Sequence, residues 1–165
     1  MASLDLHRGI LNQEAQTVDQ RGRIHVLNRE NTTDTEQWYH YWRSPSPRMD
    51  WHRSPLPQAL AEQSINNITR TPTVIGKRGK LVAPPKSDIL LALLPNNAVN
   101  STGLSILGST AKKNFSDWKI LWEVEEGNRW EVLFDRYRLA AGDGILSLFV
   151  VNGTEVGVLD LNVGL

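Results

Sequence analysis

The segment Gln37-Trp38-Tyr39-His40-Tyr41-Trp42-Arg43 gathers the groups best suited to chemistry on a sugar. Five of its seven side chains are aromatic or imidazole. Aromatic rings cover the C–H faces of a pyranose, while amide and guanidinium groups meet its hydroxyls and carboxylates. Just upstream, His25, Asn28 and Arg29 add an imidazole, an amide and a second guanidinium. Elimination on a uronate needs a donor to neutralise the C5 carboxylate, a base for the C5 proton and an acid for the leaving oxygen. Arg43 suits the first task because its fork matches a carboxylate. His25, Tyr39 and Tyr41 suit the other two. These four form the candidate catalytic set. Asn28, Arg29, Gln37 and His40 are candidate substrate contacts.

Each residue also has a structural reading. His25 could be a hydrogen-bonded structural imidazole, and His40 could pack against a neighbouring sheet. Tyr39 and Tyr41 could be cross-strand aromatics, and Arg29 and Arg43 could pair with Glu30 or Glu36. Trp51, Trp118 and Trp122 read as core anchors. Glu123, Glu125 and Glu126 read as a solvated acidic patch. Gly76-Lys77-Arg78-Gly79-Lys80 reads as a basic hairpin turn rather than a phosphate loop.

The spacing places these groups on strands. Alternate side chains of a strand face opposite ways. Trp38, His40 and Trp42 therefore share one face, and Gln37, Tyr39, Tyr41 and Arg43 share the other. Eight prolines interrupt every long window, so helix is confined to about one turn at residues 58–63. The remaining apolar runs are short and separated by turn signals, which predicts an all-β chain. Its strands fall in three groups. The first comprises residues 15–19, 23–28, 37–43 and 51–54. The second comprises residues 73–76, 80–83, 89–94, 104–109 and 118–124. The third comprises residues 132–139, 145–152 and 155–161. Gly142-Asp143-Gly144 and Asn152-Gly153 mark hairpin turns in the third group. Groups of antiparallel strands repeating every 40–50 residues suggest about three propeller blades, approximately 10–57, 72–126 and 130–165, in one partial unit spanning 1–165. A β-sandwich is the alternative.

Composition narrows the partners. Lys plus Arg and Asp plus Glu each number 18, so no basic surface advertises nucleic acid. No apolar run is long enough for a membrane helix. There is no cysteine, and the four histidines lack metal-like spacing, so neither metal nor cofactor is expected. The first residues lack the apolar core of a signal peptide. Five Asn-X-Ser/Thr sites exceed chance: Asn31, Asn67, Asn100, Asn114 and Asn152. They point to descent from a secreted glycoprotein, although turns are rich in these residue types anyway.

Several blocks resemble the BNR-repeat propellers related to ulvan lyases, especially fungal members. They are Ile10-Leu11-Asn12-Gln13-Glu14, the run from Asp19 through Gly22 to His25 and Val26, Glu36 to Arg43, Pro72 to Leu81, and Asp135 to Leu139. The resemblance implies the C-terminal blades of a larger, seven-bladed secreted protein. It adds Asn12 and Gln13 as substrate contacts or turn-holding residues, and an acidic polysaccharide as partner. The strict Asp-box is absent; Ser116-Asp117-Trp118 is at best a remnant of it. Cysteines for the structural zinc of some relatives are also lacking. The expected function is therefore a glycan-binding module or a vestigial lyase-like fragment. Uronate β-elimination and protein interaction are the alternatives, and self-association through open blade edges is expected.

Overall fold

In the computed structural model the chain is all-β. The structure describes residues 15–31, 36–66, 68, 77–96, 98, 100–127 and 131–163. It contains three antiparallel sheets. The first runs β1 (Gln16–Val18), β2 (Ile24–Asn31), β3 (Glu36–Arg43) and β4 (Trp51–Pro55). A short helix, α1 (Gln58–Gln63), follows. The second sheet runs β5 (Lys80–Val82), β6 (Ile89–Pro95), β7 (Leu104–Thr110) and β8 (Lys119–Val124). The third runs β9 (Leu133–Phe134), β10 (Ile145–Asn152) and β11 (Glu155–Asn162), with α2 (Arg136–Ala140) between its first two strands. Each sheet is a meander in chain order. Among the described residues no helix is long and apolar enough to cross a membrane.

Turn chemistry sets these strands. Asp19 Oδ1 accepts from the backbone N–H groups of Arg21 and Arg23 at 2.9 and 3.0 Å, and Gly22 takes φ +75°. A short side-chain acceptor and a residue free of a Cβ are what such a turn requires. Gly153-Thr154 closes the β10–β11 hairpin between the paired Asn152 and Glu155, one residue beyond the expected Asn152-Gly153, with φ +60° at the glycine.

The expected strand at residues 132–139 is a correction. Only Leu133–Phe134 pairs, and the chain then turns into α2. Asp135 causes the break, because its carboxylate accepts from the N–H groups of Tyr137 and Arg138. The expected strand at 73–76 lies outside the described residues.

The second sheet is buried on both faces. Leu81, Leu90, Ala92, Leu94 and Leu107 pack with Leu27 and Trp38 of the first sheet. Val82, Leu91, Leu93, Leu104 and Ile106 pack with Val132, Leu139, Leu146, Leu148 and Val163 around the third. Each fully buried Leu contributes about 1.5–3 kcal/mol of transfer free energy. That double burial explains why Ile89-Leu90-Leu91-Ala92-Leu93-Leu94 is a continuous apolar run rather than an alternating one. Lys80 reaches from β5 to Glu131, 3.2 Å away, and ties the second sheet to the start of the third. The first strands β1 and β5, with Phe134 and Arg136, line one groove of about 460 Å³.

Candidate functional site

The register of β2, β3 and β4 divides the candidate residues between two faces. Asn28 pairs with Tyr39, Val26 with Tyr41 and Ile24 with Arg43. Tyr39, Tyr41 and Arg43 also pair with Pro55, Arg53 and Trp51. Paired residues point the same way, so these side chains share the face turned away from the second sheet. His25, Leu27 and Arg29 pair with Trp42, His40 and Trp38 on the opposite, inward face.

The outward face is built around Arg53. Its guanidinium carbon lies 4.1 Å from the Tyr39 ring centre and 5.9 Å from that of Tyr41. Its Nε donates to the Tyr41 hydroxyl at 2.9 Å. Arg43 sits 5.9 Å from the Trp51 ring, and Trp51 is 57 % exposed. The Nε of Arg43 is buried and has no hydrogen-bond partner among the described residues. Gln37 is committed to structure, since its amide donates to the Leu56 carbonyl at 2.9 Å. The face thus offers an exposed indole, two guanidinium groups and a phenol on two neighbouring strands, β3 and β4. It can stack on apolar sugar faces and meet a carboxylate.

Trp51 was expected in the core, and its exposure is a correction. Its strand is the edge of the first sheet, and alternation turns it outward with Arg53. Trp118 is buried and Trp122 partly buried, as core anchors.

His25 and His40 cannot join this face. Both are fully buried between the first and second sheets. His25 Nε2 lies 3.1 Å from Asp19 Oδ2, and His25 Nδ1 lies 3.0 Å from His40 Nε2. With Asp19 ionised and both rings neutral, one proton order fits. Each Nε2 carries hydrogen: His25 donates to the carboxylate and His40 donates to His25. His40 Nδ1 then remains a bare acceptor, and it has no partner among the described residues. Phe115 stands edge-on to both rings at 4.8 and 5.4 Å, and Trp118 edge-on to His40 at 5.5 Å. Arg23 closes the chain on Asp19 at 2.6 Å and lies 4.9 Å from the Phe115 ring.

The electrostatics follow from this burial. Desolvation lowers the His25 imidazole, and the Asp19 carboxylate only partly opposes it. Desolvation, aided by His25, pushes His40 down to about 3. Burial raises the Asp19 carboxyl, but hydrogen bonds from the Arg23 backbone, His25 and the Arg23 guanidinium outweigh it and hold the group low. His25, Asp19 and Gly22 are therefore a hairpin fastened to β3. They are not a catalytic base and its support.

The remaining candidates scatter. Arg29 is buried on the inward face, 5.7 Å from the Trp38 ring, which removes it as a substrate contact. Asn28 lies outward beside Tyr39. Asn12, Gln13 and Asn67 lie outside the described residues. Asn100 and Asn114 are exposed, Asn114 in the left-handed region at φ +51°. Asn31 and Asn152 close strands β2 and β10. Glu123 is not part of a solvated patch; it accepts from Ser64 Oγ, from Ile65 N at 3.1 Å and from Ser105 Oγ at 2.9 Å. Lys77 is not an exposed turn residue either. It is buried and donates to the carbonyls of Ala98 and Ser101.

No protein-family model matches the chain, and no curated protein matches it.

Proposed function

We propose that the chain is a carbohydrate-binding, propeller-type module whose first sheet takes an acidic glycan on its outward face. One observation carries this reading: the array of Tyr41, Arg43, Trp51 and Arg53 on a single face, with the buried Tyr39 ring beneath Arg53. Two guanidinium groups and no carboxylate stand among the described outward residues of β3 and β4. That balance favours uronate-bearing chains over neutral ones. The propeller-type reading draws support from three stacked meanders whose early strands converge on one groove. Binding is favoured over elimination because His25 and His40 are buried on the opposite face of the sheet. A tyrosine alone would have to serve as base and acid.

Titration of uronate and neutral oligosaccharides into the protein tests this. Trp51→Ala and Tyr41→Ala should each weaken uronate binding by about three- to tenfold, the worth of one stacked ring. Arg43→Gln should abolish the preference for charged over neutral glycan. No unsaturated product should accumulate. Wild-type affinity in all three variants, or no glycan binding at all, would remove this reading.

A further inference from the structure

The two hydrophobic clusters come to the surface at one place. Neighbouring residues of β5 feed them separately, Leu81 the cluster under the first sheet and Val82 the cluster under the third. Both side chains are buried, yet both line the groove of about 460 Å³. Its remaining walls come from the other two sheets, with Gln16 and Thr17 on β1, Phe134 on β9 and Leu139 on α2. A concave site of this size, mainly apolar and with a few polar side chains, suits a small organic molecule.

Charge narrows the choice. Among the described residues the lining holds two cations, Lys80 and Arg136, and no carboxylate. The two cations are not equivalent. Lys80 is buried and already answered by Glu131, 3.2 Å away. Arg136 is exposed, and no described residue holds its guanidinium. An open guanidinium fork takes a carboxylate through two parallel hydrogen bonds. Phe134 and Leu139 offer only apolar surface beside it. A glycan fits this groove poorly. Every ring carries hydroxyls that must exchange water for protein partners, and the aliphatic floor supplies none.

We propose that the groove is a second binding site, which takes a small molecule with one carboxylate and an apolar body. The carboxylate pairs with Arg136, the apolar body lies over Leu81, Val82 and Phe134, and Gln16 and Thr17 supply the polar contacts of the opposite end. Such an occupant touches β1, β5, β9 and α2 together, so its binding ties the three sheets to one another and stabilises the fold. The inference is independent of the glycan reading, which concerns the outward face of the first sheet.

The test uses 2-naphthoate as the probe and the uncharged 2-naphthol as its control. Titrated into the isotope-labelled full chain at neutral pH, 2-naphthoate should shift the backbone amide signals of Thr17, Val82, Phe134 and Leu139. It should bind about three- to fivefold more tightly than 2-naphthol at low salt, the worth of an exposed ion pair, and added salt should shrink that margin. It should also raise the thermal midpoint as its concentration rises. Arg136→Gln should erase the margin while leaving 2-naphthol binding as it was. Ala140→Trp, at an exposed position of the lining, should fill the groove and exclude both probes. Both variants should keep the far-ultraviolet dichroism and the uronate titration of the wild-type chain. No shift with 2-naphthoate, equal binding of the two probes, a margin that survives in Arg136→Gln, or uronate oligosaccharides that move the groove amides in place of those of β3 and β4 would each overturn the proposal.

Discussion

At the scale of single residues, the Asp19–His25–His40 chain makes the fold sensitive to acid. His40 titrates near 3 when folded and near 6.5 when unfolded, and burial shifts His25 in the same direction. Between those values the unfolded chain binds protons that the folded chain refuses. Stability is then full above about 6.5 and falls as pH drops toward 3. The depressed Asp19 carboxyl adds to the loss at the acid end, since its contribution disappears as pH falls through its folded value. Urea midpoints measured from pH 8 to pH 4 should decline below pH 6.5, with a slope from His40 approaching about 1.4 kcal/mol per pH unit and a further decline in the same direction from His25. His40→Gln can still donate to His25 Nδ1 but does not titrate, so it should flatten the profile. An identical profile in that variant would show that the acid sensitivity arises elsewhere. The sequence displayed this chain only in part. Period-2 alternation states which residues of one strand share a face. It does not state how neighbouring strands align. Slipping β2 by one residue against β3 would turn His25 toward Tyr41 and Arg29 toward Gln37. The observed register, Asn28 opposite Tyr39, separates the expected catalytic set, and it is fixed by turns and by burial against the second sheet.

At the scale of elements, turn residues were the most legible signals, because a side-chain acceptor or a positive φ is a local requirement. The Asp19–Gly22 turn needed no tertiary information, and the hairpin at Gly153 falls one residue beyond the Asn152-Gly153 expected. Asp135 carried an equally local signal, an N-cap, but it sat inside an apolar stretch that alternation alone assigned to a strand. Gly79 is different, since its reason is tertiary. A Cβ there would meet the Trp38 ring at 3.1 Å, Leu94 at 3.2 Å and Leu27 at 3.3 Å. These atoms belong to both sheets, so the glycine sets how closely the first sheet approaches the second. Gly79→Val should act as a wedge and cost about 1–3 kcal/mol. Gly22→Ala has open space around its Cβ, and only its φ of +75° opposes the change. Chemical denaturation of the two variants should therefore rank Gly79→Val well below Gly22→Ala. The reverse order would mean that the inter-sheet contact yields easily and does not set the spacing.

At the scale of the whole molecule, the second sheet holds the other two. Its strands β6 and β7 are buried on both faces, so they contribute to both hydrophobic clusters at once. The first and third sheets each bury one face and leave the other open, with Trp51 and Val18 exposed on one and Leu133, Phe149, Val156 and Val158 on the other. Opening either outer sheet uncovers one cluster, whereas opening the second sheet uncovers both. Local stability therefore decreases outward from the centre. Native-state amide exchange should find its slowest protons among the paired residues of β6 and β7, exchanging only by global unfolding. Those of β4 and of the β11 hairpin should exchange through smaller openings. Uniform protection across all three sheets would show instead that the outer faces add nothing to the cost of opening. That result would make the stack a single cooperative block rather than a core sheet with two covers.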